Sequence, residues 1–446
     1  MKRQWAILLG SAVIAILGGI LYMSITRWGW EWTGVGGYVE SLTSDDQVYH
    51  RGKTLWDWLE LLIVPIVLIL AVWWFSRQAR EGDRDSANKR AETERKIATD
   101  RLQEAALQSY YDKITELLLG NNLRAALKDE EVITQARLIT LATLRSLDSV
   151  RKGLLIMYLN EAKLIAKEKP IIHIEGAELK GADLSWENLS TVNLSRVDLS
   201  NANLGWSNLS GADLCEAKLS GADLREASLS GACLIKANLS DANLRKADLN
   251  NANLNQAKLS KAILSEAKLN KATLRKADLN GAKLNKAQLT GADLSEAYLS
   301  GAYLVWAWLH GANLSKARLT EAHLIHVSLN RANLVDANLT GAILEKAELI
   351  GADLTRAYLS DANLKGAILE KAELTGANLT GADLNNANLE GAILDGANLT
   401  GSNLKRARNI TSEQLATTET LKDAIMADGR KYDSAIHAEV ARLRKS

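Results

Sequence analysis

The sequence predicts a four-sided β-helix, a solenoid around one narrow core, preceded by two transmembrane α-helices and a helical linker that caps the solenoid. Three observations predict it. From Leu179 to Leu404 every fifth residue is leucine, 46 in succession, with Ile174 just before. The residue two before each of these leucines is nearly always alanine. The first 75 residues instead hold two apolar runs and eight of the twelve tryptophans.

The composition excludes several classes. A 446-residue chain with one phenylalanine does not build one large mixed core. Two prolines exclude a proline-rich linker protein, and two cysteines exclude a disulfide framework. Net charge is +1, which gives no bulk electrostatic case for binding nucleic acid or for imitating it.

Residues 1–76 read as a membrane anchor with spans at about 5–25 and 55–75. Trp5 to Ile25 is 21 residues without a charge, enough to cross a hydrocarbon core of ~30 Å as a helix. The run is long for a signal peptide, and no A-x-A site follows Tyr22. The second run, Leu61 to Phe75, becomes long enough by adding Leu55 to Leu59, with Asp57 and Glu60 at the headgroup level and a kink at Pro65. Trp28, Trp30, Trp32, Trp56 and Trp58 mark one interface; Trp5, Trp73 and Trp74 mark the other. Lys2 and Arg3 before the first span, and Arg77 and Arg80 after the second, favour both termini in the cytoplasm.

Residues 77–173 read as a charged helical stalk and cap. Arg77 to Arg101 carries eight basic and six acidic residues, a solvated helix. Ala98, Leu102, Ala106, Tyr110, Ile114 and Leu117 then recur at helical steps and predict one apolar face. Gly120-Asn121-Asn122 breaks it. Two more helices follow over 129–147 and 148–165, the second with Asp148 as N-cap.

Geometry decides the architecture of 174–408. On an α-helix a five-residue period walks around every face, and on a flat strand it alternates faces. All 46 leucines share one interior only if the chain turns a corner once per repeat. Four corners close a coil of 20 residues, and nearly twelve coils stacked at ~4.8 Å make a rod of roughly 55 Å. The surface supports that coil. Positions 20 apart mostly alternate in sign, as in Glu216, Lys236, Gln256, Lys276, Glu296, or in Glu226, Lys246, Glu266, Lys286. Trp186 and Trp206 are also 20 apart and form a candidate stacked pair. Glycine is frequent at positions ending in 1, which predicts positive φ at alternate corners. Leucine fails at Asn409, so 409–446 reads as a C-terminal helical cap or tail, with a helix start at Ser412 and an amphipathic stretch at Ala435, Ile436, Val440 and Leu443.

Tandem Ala-Asp/Asn-Leu-x-x resembles the pentapeptide-repeat family. The resemblance implies a right-handed quadrilateral β-helix with the leucine and the alanine two before it pointing inward. Thr54 to Pro65, the charged helix and Leu117 to Leu123 look like membrane-anchored members common in cyanobacteria. The best-understood relatives bind type II topoisomerases by imitating the DNA duplex; they are soluble, strongly acidic, and commonly carry phenylalanine at the central position. Here that position is leucine throughout, and residues 231–290 carry eleven basic against four acidic side chains, which argues against such mimicry.

No phosphate loop, nucleophile elbow or zinc ligand set is present in the sequence, so no catalytic residue, cofactor or metal is expected. Cys215 and Cys233 fall at outward positions and are expected as plain thiols in a reducing cytoplasm. The residues that stand out are Tyr298, Tyr303, Trp306, Trp308, His310, His323 and His326, an aromatic patch on a polar rod and a candidate protein contact. The reading is of a non-enzymatic scaffold, integral to a membrane through two spans, holding its β-helix in the cytoplasm for an unknown protein partner. No nucleic acid is expected, and a homo-oligomer is allowed. The alternative is an oligomeric membrane-signalling or transport component.

Overall fold

A computed structural model describes residues 38–39, 49–50, 55–120, 123, 130–433 and 438–443. The chain divides into two compact units, 1–99 and 100–446. The expected first span, 5–25, lies outside the described residues. Strand β1 (Tyr38–Val39) pairs antiparallel with β2 (Tyr49–His50).

Helix α1 runs over Leu55–Leu119 and is continuous across Pro65. Within it Ile66 to Leu70 and Val72 to Phe75 are exposed. The second expected span is therefore helical. Yet among the described residues no helix is long and apolar enough to cross a membrane. The uninterrupted run from Leu61 to Phe75 falls short of the ~20 residues a span needs before the charged stretch begins.

In the second unit, the end of α1 packs with α2 (Glu130–Ser146) and α3 (Ser149–Glu161). The buried face of α1 starts later than its periodicity suggests. Leu107, Tyr110, Ile114 and Leu117 are buried, whereas Leu102 is 72% exposed. The Tyr110 hydroxyl meets Thr140 Oγ1 at 2.8 Å, and Thr140 donates to the Ala136 carbonyl at 2.7 Å. Burial pushes the Tyr110 phenol well above its ordinary pKa. Asp148 caps α3 by accepting the Arg151 amide at 2.8 Å. The Arg151 guanidinium donates to Glu104 at 3.1 Å and to Gln103 at 3.0 Å, tying α3 to α1.

These helices and the segment that follows α3 close one end of the β-helix. Asp183 N donates to the Ser149 carbonyl at 2.9 Å, and Asn193 N donates to Ile165 O at 2.8 Å. An open coil edge would leave such amides unpaired and ready to join another chain.

The coil is 20 residues with four sides. Side 1 is centred on Leu179 and its 20-residue successors, side 2 on Leu184, side 3 on Leu189 and side 4 on Leu194. The residue before each leucine forms a single parallel bridge to its counterpart 20 later, as Asp183 to Asn203 and Asn188 to Asn208. No long strands form, because each side is straight for only about three residues. Leu184 N donates to Asn203 O at 2.8 Å and Trp186 N to Gly205 O at 3.0 Å, and this pattern repeats along the rod. At each corner the alanine amide returns to the preceding leucine carbonyl, as Ala182 N to Leu179 O at 3.0 Å. That closure with positive φ at its third residue has the sign pattern of a type II turn.

Positive φ occurs at every corner from Gly176 to Arg406, not at alternate ones. Trp186 takes φ 65°, Thr191 57° and Lys236 57°. The left-handed conformation costs an L-residue roughly 1–2 kcal/mol, so the glycines ease corners that the hydrogen-bond ladder imposes on all residues alike.

The aspartate or asparagine before leucine also has a physical cause. Its side-chain oxygen accepts the amide two residues on, as Asp213 Oδ1 from Cys215 N at 3.0 Å. Asparagines stack as well: Asn203 Nδ2 donates to Asp183 Oδ1 at 2.9 Å.

The rod does not stop where the leucines stop. Helix α4 (Ser412–Ala416) replaces part of one coil, and the ladder then resumes with a spacing of 22, pairing Asn398 with Thr420 and Asn403 with Ile425. Leu415, Leu421, Ala424 and Met426 are buried there. Helix α5 (Ala438–Leu443) follows and buries Val440; Ala435 and Ile436 lie outside the described residues.

Candidate contact surface

The repeat turns two positions of every five inward and leaves three for the surface. Chemistry on this rod is therefore set by columns of outward residues that recur every 20. Paired charges occupy several of them. Lys276 meets Glu296 at 3.4 Å, and Arg356 meets Asp336 at 2.8 Å. The Arg356 guanidinium holds the Asp336 carboxyl below its ordinary value. Each exposed pair contributes only ~0–1 kcal/mol, so these pairs set register more than stability. The basic stretch 231–290 is spread around all four sides and partly answered by such pairs, as Arg245 with Glu266 at 3.2 Å.

The aromatic residues singled out above are divided among three sides. Tyr298 is on side 1, where the Arg318 guanidinium sits 5.0 Å from its ring. Tyr303 on side 2 stacks on His323 with centroids 4.6 Å apart. Trp306, on the edge between sides 2 and 3, stacks on His326 at 4.0 Å with planes 7° apart. Trp308 is on side 3, and His310 follows it two residues later. Trp306 is 51% and Trp308 58% exposed, so neither is a core residue. The structure thus brings Tyr303, Trp306, Trp308, His323 and His326 onto neighbouring surfaces of two coils, and leaves Tyr298 around a corner. Trp186 and Trp206 occupy the same edge column as Trp306. They stack at 4.9 Å with planes 2° apart, and Arg225 lies 5.5 Å from the Trp206 ring.

Between these aromatic pairs runs a shallow groove of about 620 Å³, walled by Glu226, Lys246, Glu266 and Lys286 on the edge and by Asp248 and Lys268 on side 3. It is open and lined by charged, partly paired groups, unlike the enclosed apolar pockets that hold small molecules.

The expected free thiols are corrected. Cys215 and Cys233 form a disulfide, with Cα atoms 5.5 Å apart. The residue after one leucine and the residue before the next coil's leucine, 18 apart, are diagonal neighbours. The same relation pairs Ser210 with Ser228 at 2.8 Å. Asp213 lies with both sulfurs in a cluster within 4.8 Å, but sulfurs bonded to each other offer no thiolate to a metal. The separation of 18 was the available signal.

A stacked-coil exterior of this kind defines a β-solenoid repeat protein. The family model for pentapeptide repeats matches in eight copies from residue 175 to 408, over half of the chain. The chain belongs to the pentapeptide-repeat family, whose β-helix is right-handed and whose members are generally structural or interaction proteins.

Among solved structures it is similar to HetL, a pentapeptide repeat protein involved in heterocyst differentiation regulation from the cyanobacterium Nostoc sp. strain PCC 7120. They share 39% identity over 50% of this chain and 91% of that one, with a TM-score of 0.32. A pentapeptide repeat protein from the Arabidopsis thaliana thylakoid lumen is 32% identical over 24% of this chain and 70% of that one, with a TM-score of 0.15. QnrB1, a plasmid-mediated fluoroquinolone resistance protein, is 18% identical over 42% of this chain and 93% of that one, with a TM-score of 0.27. No curated protein matches the chain.

Proposed function

We infer that this chain is a non-enzymatic interaction scaffold whose β-helix presents the Trp306–Trp308 surface to a protein partner. The observation that carries the reading is the exposure of Trp306 and Trp308 on a rod whose other outward positions are mostly polar. Large aromatic side chains are over-represented among residues that dominate protein contacts. The solubilised full chain, with a photo-crosslinker beside Trp308, tests it. Trp308→Ala abolishes a specific adduct if the reading is right; an unchanged adduct pattern refutes it.

The membrane anchor belongs to the same reading. It is supported by the uncharged run Trp5 to Ile25 and by the exposed apolar side chains Ile66 to Leu70 and Val72 to Phe75. Lys2, Arg3, Arg77 and Arg80 favour the cytoplasmic side for the β-helix. The Cys215–Cys233 disulfide favours the opposite, oxidising side, because reducing compartments keep thiols free. Alkaline extraction tests the anchor, and protease protection of sealed membranes decides the side.

DNA mimicry is not supported. The likeness to QnrB1 speaks to the fold, and a net charge of +1 lacks the acidic field a duplex presents.

A further inference from the structure

Side 2 of the β-helix, with its two bounding edges, is complementary to itself when reversed. The edge shared with side 3 reads, coil by coil, Trp186, Trp206, Glu226, Lys246, Glu266, Lys286, Trp306, His326. Coil register makes this a physical column, since Trp186 stacks on Trp206, Lys246 pairs with Glu266, and Trp306 stacks on His326. Laid against itself in reverse about the point between Lys246 and Glu266, it faces Glu226 with Lys286, Lys246 with Glu266, Trp206 with Trp306, and Trp186 with His326.

Two further columns of the same side share this midpoint. On the face, Asp223 meets Lys283 and Asn203 meets Tyr303; on the other edge, Asp241 meets Lys261. An alternating column always finds a reversed register. Three columns agreeing on one coil boundary, with aromatics equidistant from it, is the added observation. No like-charged residues face each other anywhere across the side between the coils of Trp186 and His326.

We propose that side 2 is an isologous dimer interface on which a second copy of this chain docks antiparallel. A two-fold axis lying in the contact plane and crossing the rod maps each column onto itself in reverse, the condition for one patch to serve both partners. The seven coil steps from Trp186 to His326 span ~34 Å; with a side roughly 15 Å across, the contact buries about 1,000 Å² in total, the low end for specific association. The dimer is therefore reversible and weakens with salt. The six tryptophans at its two ends, three from each chain, supply apolar anchors, and the charges between them set orientation. The interface involves the rod alone: it takes up Trp306 and leaves Trp308, on side 3, the residue beside which the partner crosslink is read. Its failure and that of the proposed function are thereby separable.

The test uses Glu226 and Lys286. They are three coils, ~14 Å, apart within one chain, so they do not meet there, but each would meet the other's counterpart across the dyad, so the contact forms twice in the dimer. The full chain in non-ionic detergent is followed by sedimentation velocity over a concentration series. Wild type is expected to dimerise reversibly. Glu226→Lys alone and Lys286→Glu alone each place like charges opposite and weaken the dimer by about 10-fold or more. Mixing the two single variants restores dimers, now mixed ones, and the double variant restores the homodimer. A monomer at all concentrations, a dimer unmoved by both single variants, or no recovery on mixing would overturn the proposal.

Discussion

The Ser149 carbonyl accepts the Asp183 amide at 2.9 Å, joining the first turn of α3 to the first coil of the β-helix. Gly153, one turn later, makes this approach possible: a Cβ there would lie 2.0 Å from the Asp183 carbonyl oxygen. Gly153→Ala should therefore lift α3 off the coil despite the better helix propensity of alanine, at a cost of about 3 kcal/mol. Hydrogen exchange should show lost protection at Asp183 and Asn193. Unchanged protection there would sink the idea that α3 seals the edge.

The interior holds two serines at alanine positions, and they differ. Ser207 Oγ donates to the Leu204 carbonyl at 2.7 Å, whereas Ser402 Oγ is buried without a partner. Ser402→Ala should raise stability by about 1 kcal/mol, and Ser207→Ala should not. Thermal melts of the two variants make the comparison.

Thr191 is a β-branched residue held at φ 57°. Thr191→Gly removes that strain, partly offset by the greater freedom glycine has when unfolded, for a net gain of roughly 0.5–1 kcal/mol. The same exchange at a side-straight position such as Asn208 should destabilise. Chemical denaturation with both variants separates corner strain from a general effect of glycine.

The Tyr110 phenol is raised above its ordinary value of 10.0, chiefly by burial. The neutral form is the one the fold stabilises. Its contribution is complete below the unfolded pKa and is lost as pH climbs past 10.0 towards the raised folded value. The helical cap should therefore loosen in strong alkali. Tyr110→Phe should flatten that alkaline limb while costing about 1 kcal/mol at neutral pH for the lost Thr140 bond. An alkaline limb identical in both proteins would assign it to other groups.

Cys215 and Cys233 close a short loop between adjacent coils. Reduction, or Cys215→Ser, should lower stability by up to about 3 kcal/mol, less if the ladder around the loop holds on its own. A non-reducing peptide map should show the two cysteine peptides joined; separate peptides from material purified under oxidising conditions would contradict the pairing.

The coil length, the inward leucine and alanine, and the neighbours 20 apart are all legible in the sequence. A five-residue period admits one geometry that buries every leucine, so Trp186 on Trp206 and Trp306 on His326 follow from numbering alone. Relations that cross columns are harder to see. Cys215 reaches Cys233 diagonally, and Arg225 reaches the Trp206 ring from a neighbouring column. The apolar periodicity of α1 was misleading at Leu102, because an amphipathic pattern marks a face that can be buried and not where its partner begins.

The class of fold and the columns of its surface are already written in the repeat, because a strict five-residue period leaves the backbone no choice of register. The sign of φ at every corner, the fusion of α3 to the first coil at Gly153, and the return of the chain to the ladder after α4 emerge from long-range packing. These depend on where carbonyls and amides of distant segments meet, and a five-letter period carries no record of that.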